Sequence, residues 1–342
     1  KIHSIAAALP PDIEDLSDLD MIFGEDETSR IIKTNGIEQI RKAPDGICSS
    51  DMCEAAAKII LTPELIEEID GIIFVSQTPD YILPATSCIL QHRLGLSKNC
   101  TAVDINHGCN GYIYGLYQST MMVAAGGCRS VIMCAGDALS RYVNPLDKNE
   151  RMVFGDAGSA TLITRGDREI GFAFHTDGSG AEHLIIPAGG CRKPICDETA
   201  NVDMRPDGSM RSDEDLFING IEVMNFSLRE VPKAVADAVD VIGWTKESVT
   251  LFGLHQANKF MVDYLRKVLK VPAGKVPAAM KHTGNTSAAS IPLMLCKERE
   301  RLISEQMLKK TVLCGFGVGL SCGAAAFDLS EVNLFEPIEI NI

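Results

Sequence analysis

A cysteine, a histidine and an asparagine suited to a nucleophilic site stand at breaks in the secondary-structure pattern of this chain. Cys109 lies in Asn106-His107-Gly108-Cys109-Asn110-Gly111, between an apolar strand pattern, Cys100 to Ile105, and a helical pattern from Tyr112 to about Ala125. A strand that breaks at Gly into a helix presents its side chain beside free N–H groups and the positive end of the helix dipole, a setting expected to favour a thiolate. His255 ends a buried strand pattern in Leu251-Phe252-Gly253-Leu254-His255-Gln256-Ala257-Asn258, and Asn285 opens a turn into small helical residues, Gly284-Asn285-Thr286-Ser287-Ala288-Ala289-Ser290-Ile291-Pro292. Taken singly, His255 reads as a core histidine and Asn285 as a helix cap. Together with Cys109 they form the set that a covalent acyl-transfer site uses. His107 reads as a packing or pocket-lining residue, and His175, His183 and His282 are given no role.

The elements that must position these residues alternate. Strand patterns at residues 71–76, 101–105, 130–135 and 158–164 are separated by helical patterns at 52–60, 85–94 and 111–125, and this alternation predicts mainly parallel pairing with helices on both faces. The scheme repeats: a helix near 220–242, a strand at 249–254, helices at 259–269 and 287–300, then strands at 311–314 and 323–329. Phe154-Gly155-Asp156-Ala157-Gly158-Ser159-Ala160 and Phe316-Gly317-Val318-Gly319-Leu320-Ser321-Cys322-Gly323-Ala324 each lead into the last strand of a half. We read an internal duplication, with halves at 1–165 and 216–342. Residues 166–215, rich in Gly, Pro, Asp and Arg, are expected to form a loop or lid excursion.

The 342 residues, 46% hydrophobic, suffice for a large α/β core, and a formal net charge of −14 argues against nucleic acid or an anionic membrane as partner. Twelve cysteines scattered singly along apolar patterns suit buried thiols in a reducing compartment. Cys191 and Cys196 lack further ligands of metal-site spacing, so no metal is expected. No apolar run is long enough to span a bilayer and no signal-peptide pattern opens the chain, so a cytoplasmic protein is expected.

Read end to end, the motifs resemble the thiolase superfamily, and within it β-ketoacyl-acyl carrier protein synthase III. The likeness is carried by the opening Lys1-Ile2 to Leu9-Pro10, Thr78-Pro79-Asp80, the Cys109 segment, Leu139-Ser140-Arg141, Phe154-Gly155-Asp156, His255 to Asn258, Gly284 to Pro292 and Gly315-Phe316-Gly317. The resemblance implies an α/β thiolase-like fold of two duplicated halves in five α-β-α-β-α layers, and a homodimer formed by the first half. It implies that Cys109 carries an acyl primer, and that His255 and Asn285 stabilise the enolate of a decarboxylating malonyl thioester. The Cys109 N–H and one from the Gly317-Val318-Gly319 turn would form the acyl-transfer oxyanion hole, with Phe316 keeping the pocket dry. Acyl carrier protein is the implied partner, coenzyme A thioester is a candidate primer donor, and no cofactor is required. A thiolase would carry a second catalytic cysteine at Gly315; here Cys314 lies one residue earlier, on the opposite strand face.

Departures from the family bear on substrate. The adenine-stacking Trp aligns with Arg30, a phosphate-binding Arg with Thr34, another coenzyme-contacting Arg with Lys148, and a basic carrier-docking residue with Phe260, beside Lys259. A bulky Phe that closes the partner's acyl pocket aligns with Leu83. Arg30, Leu83, Lys148, Asn258 and Lys259 are accordingly the expected substrate-binding residues, in an enzyme adapted to a longer or branched primer and a specialised pathway. A non-condensing acyltransferase using Cys109, and a non-catalytic dimeric partner of another ketosynthase, are the competing readings.

Overall fold

The computed structural model describes residues 1–206 and 208–341. One sheet orders its strands Thr101–Ile105, Gly71–Val75, Ser130–Asp137, Ala157–Thr164 and Ile2–Leu9, with Asn333–Leu334 and Ile338–Glu339 both paired to Ile2–Leu9. The other orders Leu251–Leu254, Thr311–Gly317, Ser321–Phe327 and Gly171–Thr176. Gly71–Val75 pairs in parallel with Ser130–Asp137, which pairs antiparallel with Ala157–Thr164, itself antiparallel to Ile2–Leu9. The second sheet repeats that sequence of directions strand for strand. The two Phe-Gly segments lead into the corresponding strands Ala157–Thr164 and Ser321–Phe327, as a duplication requires.

Two expectations are corrected here. Pairing is mixed rather than mainly parallel: Thr311–Gly317 and Ser321–Phe327 are joined by three residues, too few for the crossover that parallel neighbours need. Residues 171–176, expected within the excursion, are an edge strand of the second sheet, hydrogen-bonded to Ser321–Phe327. The rest of the excursion, among its described residues, holds short strands and a 3-10 turn, Gly178–His183.

Alternating side chains divide the core into layers. On Gly71–Val75, Ile72 and Phe74 pack with Ala56, Ala57 and Ile60 of the outer helix Ser49–Ile60, whereas Ile73 and Val75 pack with Tyr112 and Leu116 of Gly111–Ala124. Gly111–Ala124 and Ser290–Lys297 lie between the sheets, and Gly220–Val241 and Lys259–Leu269 cover the far face of the second sheet. This is the five-layer arrangement. The middle layer is tight: a Cβ at Gly115 would sit 2.5 Å from the Met133 sulfur.

The halves meet backbone to backbone at the turn that opens Gly111–Ala124. A Cβ at Gly315 would lie 2.7 Å from the Asn110 Cα and 2.9 Å from the Cys109 carbonyl oxygen, and one at Gly323 would lie 2.9 Å from Asn110 Oδ1. Backbone atoms at such distances cannot yield as a flexible side chain can. Gly315→Ala is therefore expected to destabilise the protein by about 1–3 kcal/mol, read as a lower urea midpoint, through overpacking. Gly274→Ala, where a Cβ meets nothing within 4 Å, should leave the midpoint unchanged.

Candidate active site

Cys109, His255 and Asn285, from three distant stretches of chain, line one cavity of about 1020 Å³ together with Phe316 and Gly317. Cys109 is 8% exposed and sits in the turn before Gly111–Ala124. Gly317 lies against it: φ is 147° there, and a Cβ would fall 2.9 Å from the Cys109 Cβ and 3.2 Å from Sγ. Only glycine combines that backbone with that approach. The approach brings the Val318 N–H onto the sulfur alongside the N–H of Cys109 itself. Two backbone donors therefore converge where the carbonyl oxygen of a Cys109-bound acyl group would develop charge.

The thiolate expectation is corrected by burial. Desolvation, reinforced by the buried Asp137 carboxylate, pushes the Cys109 thiol up to about 12, against the lowering effect of Ser287 and the two N–H groups. A rise from 9 to about 12 corresponds to about 4 kcal/mol, whereas a helix N-terminus contributes at most about 2 kcal/mol. At pH 7 only about one molecule in 10⁵ carries the thiolate. The nucleophile rests as a thiol, and its reaction needs a proton acceptor.

His255 is 1% exposed at the end of Leu251–Leu254, where its N–H donates to the Cys314 carbonyl at 2.8 Å. Burial lowers its ring to about 3, so the imidazole is neutral. Its Nδ1 is 2.6 Å from the Ser290 Oγ, and that oxygen already accepts from the Gln256 N–H at 3.4 Å. Oγ has a second lone pair, so the contact fits either ring tautomer and fixes the orientation of the ring rather than the place of its proton. Phe316, 1% exposed, meets the His255 ring edge-on, 5.3 Å between centroids, and shields it from water.

Asn285 is held between the halves. Its N–H donates to the Val153 carbonyl at 2.8 Å, and its carbonyl accepts from the Gly155 N–H at 3.1 Å. Gly284 has φ 71°, and a Cβ on Gly155 would lie 2.0 Å from the Thr283 carbonyl oxygen, so both glycines are needed for this contact. The Asn285 Oδ1 accepts from the Ser287 N–H at 3.0 Å, which fixes the amide and leaves its NH₂ as the free donor. Asn285 lies one residue before the cap position of the 3-10 turn Ser287–Ala289, which Thr286 occupies, so the helix-cap reading is corrected to a local bond onto the first N–H of that turn.

The expected substrate-binding residues divide. Asn258 lines the cavity, although its Oδ1 accepts from the Met261 N–H at 2.8 Å and caps Lys259–Leu269. Lys259 is turned to Asp263, outside the cavity lining, with its stem against Gly36. Arg30 makes a two-pronged bond to Glu27 at 2.8 and 2.9 Å, and Lys148 approaches the same carboxylate at 3.8 Å. Leu83 is 79% exposed, in a run with Tyr81 and Ile82. His107 stacks on Tyr114 at 4.2 Å.

Sequence reasoning missed the cavity wall. Arg205, Arg211 and Ser212 of the excursion line it, and Arg211 is held by a buried pair with Asp147 at 2.9 Å and by the Phe217 ring at 4.7 Å. Asn144 to Asp215 at 2.9 Å and Asn149 to Ser209 at 2.7 Å fasten the same two loops. The polar spacing of 144–151 gave a signal only in combination with a partner far away in sequence. Asp137, 0% exposed behind Cys109, was likewise missed, because at the end of an apolar strand it reads as the start of a loop. Among the described residues no cluster of three or more His, Cys, Asp or Glu side chains suits a metal ion.

Comparison with known proteins agrees with this arrangement. The profile of 3-oxoacyl-acyl-carrier-protein synthase III matches residues 103–178, and that of its C-terminal region matches residues 239–329. The chain is 33% identical over 335 residues to β-ketoacyl-acyl-carrier-protein synthase III of Natranaerobius thermophilus, covering 95% of this chain and 97% of that one. It is 33% identical over 321 residues to the protein of the same description in Rhodopirellula baltica, covering 87% and 89%. The crystal structure of a 3-oxoacyl-acyl-carrier-protein synthase from Burkholderia xenovorans superposes with a TM-score of 0.91 at 36% identity, over 99% of this chain and 97% of that chain. The fold is thus the thiolase-like fold of these enzymes, and the chain belongs to the 3-oxoacyl-acyl-carrier-protein synthase III family of acyltransferases.

Proposed function

We propose that this cavity condenses an acyl primer with malonyl-acyl carrier protein, using Cys109 as acyl carrier and His255 with Asn285 as the enolate-stabilising pair. The observation that carries the reading is the placement of the last two: a neutral His255 ring held by Ser290, and Asn285 with its NH₂ left free, in the cavity that holds the thiol. Cys109 sulfur attacks the primer thioester, the oxyanion takes the Cys109 and Val318 N–H bonds, and the donor leaves as a thiol. Malonyl thioester then loses carbon dioxide, and the electron pair moves onto its thioester oxygen between His255 and Asn285. The carbanion attacks the acyl group on Cys109, the C–S bond to Cys109 breaks to give a 3-oxoacyl thioester and the Cys109 thiolate, and one proton taken up from solvent restores the thiol. A dry pocket under Phe316 favours release of neutral carbon dioxide from a carboxylate.

The surroundings support a carrier-bound primer. Glu27 engages Arg30 and Lys148, where the resemblance would place coenzyme contacts, so a coenzyme phosphate would compete with a carboxylate for them. Apolar lining by Leu184, Phe217, Ile218, Met224 and Met261 suits a pantetheine arm. A homodimer through the first half is supported by exposed Val103 on the edge strand, Tyr117 and Met121 on Gly111–Ala124, and the Tyr81-Ile82-Leu83 run, which would reach the partner's pocket. No helix among the described residues is long and apolar enough to cross a membrane, and the twelve free thiols suit a reducing cytoplasm.

The decisive experiment incubates the protein with acyl-CoA and acyl-carrier thioesters, follows intact mass, and then adds malonyl-acyl carrier protein. An adduct absent from Cys109→Ala and discharged as a 3-oxoacyl thioester is expected; an adduct discharged only by an alcohol or amine would establish the non-condensing reading instead. His255→Ala and Asn285→Ala should each slow malonyl decarboxylation by about 10²–10³-fold, the usual loss for one positioned donor. Because burial holds the His255 ring near 3, it does not gain a proton as pH falls from 8 to 5. Decarboxylation should stay flat across that range, where an ordinary histidine would give an inflection near 6.5. Glu27→Gln should lower KM for acyl-CoA by up to about fivefold, the scale of an exposed ion pair, and leave KM for acyl-carrier donors unchanged.

A further inference from the structure

The Cys109 proton has no acceptor in the residues assigned so far. His255 is a poor acceptor for it: burial lowers the ring to about 3, and among the described residues no hydrogen bond joins that ring to the thiol. Behind the thiol, away from the cavity lining, lies Asp137, 0% exposed at the end of Ser130–Asp137. No cation pairs with it among the described residues. Hydrogen bonds hold it instead: the Gln77 N–H at 2.7 Å and Ser76 hydroxyl at 3.0 Å donate to Oδ1, and the Ala288 N–H at 3.2 Å donates to Oδ2. A buried carboxylate without a counter-ion is unfavourable beside a nucleophile that must become negative, and it raises the thiol further.

Ser287 links the two. Its hydroxyl is buried, within reach of both the Cys109 thiol and the Asp137 carboxylate, and makes no well-formed hydrogen bond to any partner at rest. The chain bends to put it there: Ser287 has φ 47°, a left-handed conformation uncommon for serine. Its N–H is anchored on Asn285 Oδ1, and the next N–H, of Ala288, on Asp137 itself. Space for the hydroxyl comes from Gly108, where a Cβ would stand 3.1 Å from Ser287 Oγ. A strained backbone that delivers a hydroxyl between a thiol and a carboxylate is accounted for by a role in proton transfer.

We propose that Ser287 relays the Cys109 proton to Asp137 as the thiol attacks its acyl donor. The S–H bond breaks and its proton passes to Ser287 Oγ, while the Ser287 O–H proton passes to the carboxylate. The sulfur pair forms the bond to the acyl carbon. When the donor's C–S bond breaks, the departing thiolate takes up the proton and Asp137 returns to carboxylate. The site keeps one negative charge throughout, so no charge is created in the dry interior. Burial, the largest influence, raises Asp137 to about 6, which leaves about nine in ten molecules with a proton acceptor at pH 7. The titratable groups bearing on it are Cys109 and the buried Cys53 of Ser49–Ile60.

The relay deepens the proposed acyl transfer, yet deprotonation of Cys109 can be followed without any acyl donor. Alkylation of Cys109 by iodoacetamide, read on its own peptide by mass spectrometry from pH 4.5 to 9, should rise through about pH 6 and then flatten. Ser287→Ala, which keeps the backbone bond to Asn285, and Asp137→Asn should each be about 10–100-fold slower at pH 7 and lose the inflection, climbing tenfold per pH unit. A wild-type curve without an inflection near 6 would overturn the proposal. So would variants whose curve is lowered but keeps the inflection, as a structural fault would give. Faster alkylation of Asp137→Asn at pH 7 would reduce Asp137 to a repelling charge and also overturn it. A normal wild-type alkylation curve with no acylation by any thioester would remove the acyl-transfer reading while supporting the relay.

Discussion

The contact between the Cys109–Asn110 turn and the paired strands Thr311–Gly317 and Ser321–Phe327 is the constraint on which the rest of the molecule depends. Gly315, Gly317 and Gly323 leave no side chain between the two, so a backbone turn of the first half lies directly on the second sheet. Two N–H groups converge on the Cys109 sulfur because of that approach, the Val318 N–H from one half and the Cys109 N–H from the other. The same seam is closed on its other side by Asn285, whose backbone bonds to Val153 and Gly155. A duplicated fold has two equivalent sheets; the site is where the copies differ in what they bring to a shared middle layer.

The electrostatics of the site follow from its dryness. Burial keeps His255 neutral and Cys109 protonated and lifts Asp137 toward neutrality, and each shift disfavours net charge. A chemistry whose charges appear only transiently suits such a place: an enolate beside neutral donors, and an oxyanion beside backbone N–H groups. The pairing of His255 with Ser290 and of Asn285 Oδ1 with the Ser287 N–H has one function in common. Each bond fixes the orientation of a buried polar side chain that lines the cavity.

Outside the dry interior the design changes. The cavity wall is fastened by Arg211 on Asp147 and Asn144 on Asp215, pairs that tie the excursion to the loop after Ser130–Asp137. Farther out, Arg30 and Lys148 share Glu27 in solvent, where such pairs are weak and readily exchanged for another anion. Charge on this outer surface is exchangeable, whereas the buried residues around Cys109 are fixed by hydrogen bonds.

Much of this was legible in the chain. Alternating apolar patterns located Ser130–Asp137, Ala157–Thr164, Gly111–Ala124 and Lys259–Leu269 within a few residues, because each buries one face over many consecutive positions. Cys109, His255 and Asn285 could be singled out in the sequence, since residue type and element junction are local properties, and the fold brings the three to one cavity. Pairing direction was not legible, because it depends on what connects the strands: the three-residue turn after Gly317 forced a hairpin. Protonation was not legible either. A helix N-terminus is visible in sequence, but the desolvation that outweighs it at Cys109 comes from neighbours on both halves. Only the tertiary structure could show Glu27 taking Arg30 and Lys148, or Asp137 and Ser287 meeting behind the thiol from positions 150 residues apart, because burial and charge pairing are set by what the fold brings near, not by what the chain places next.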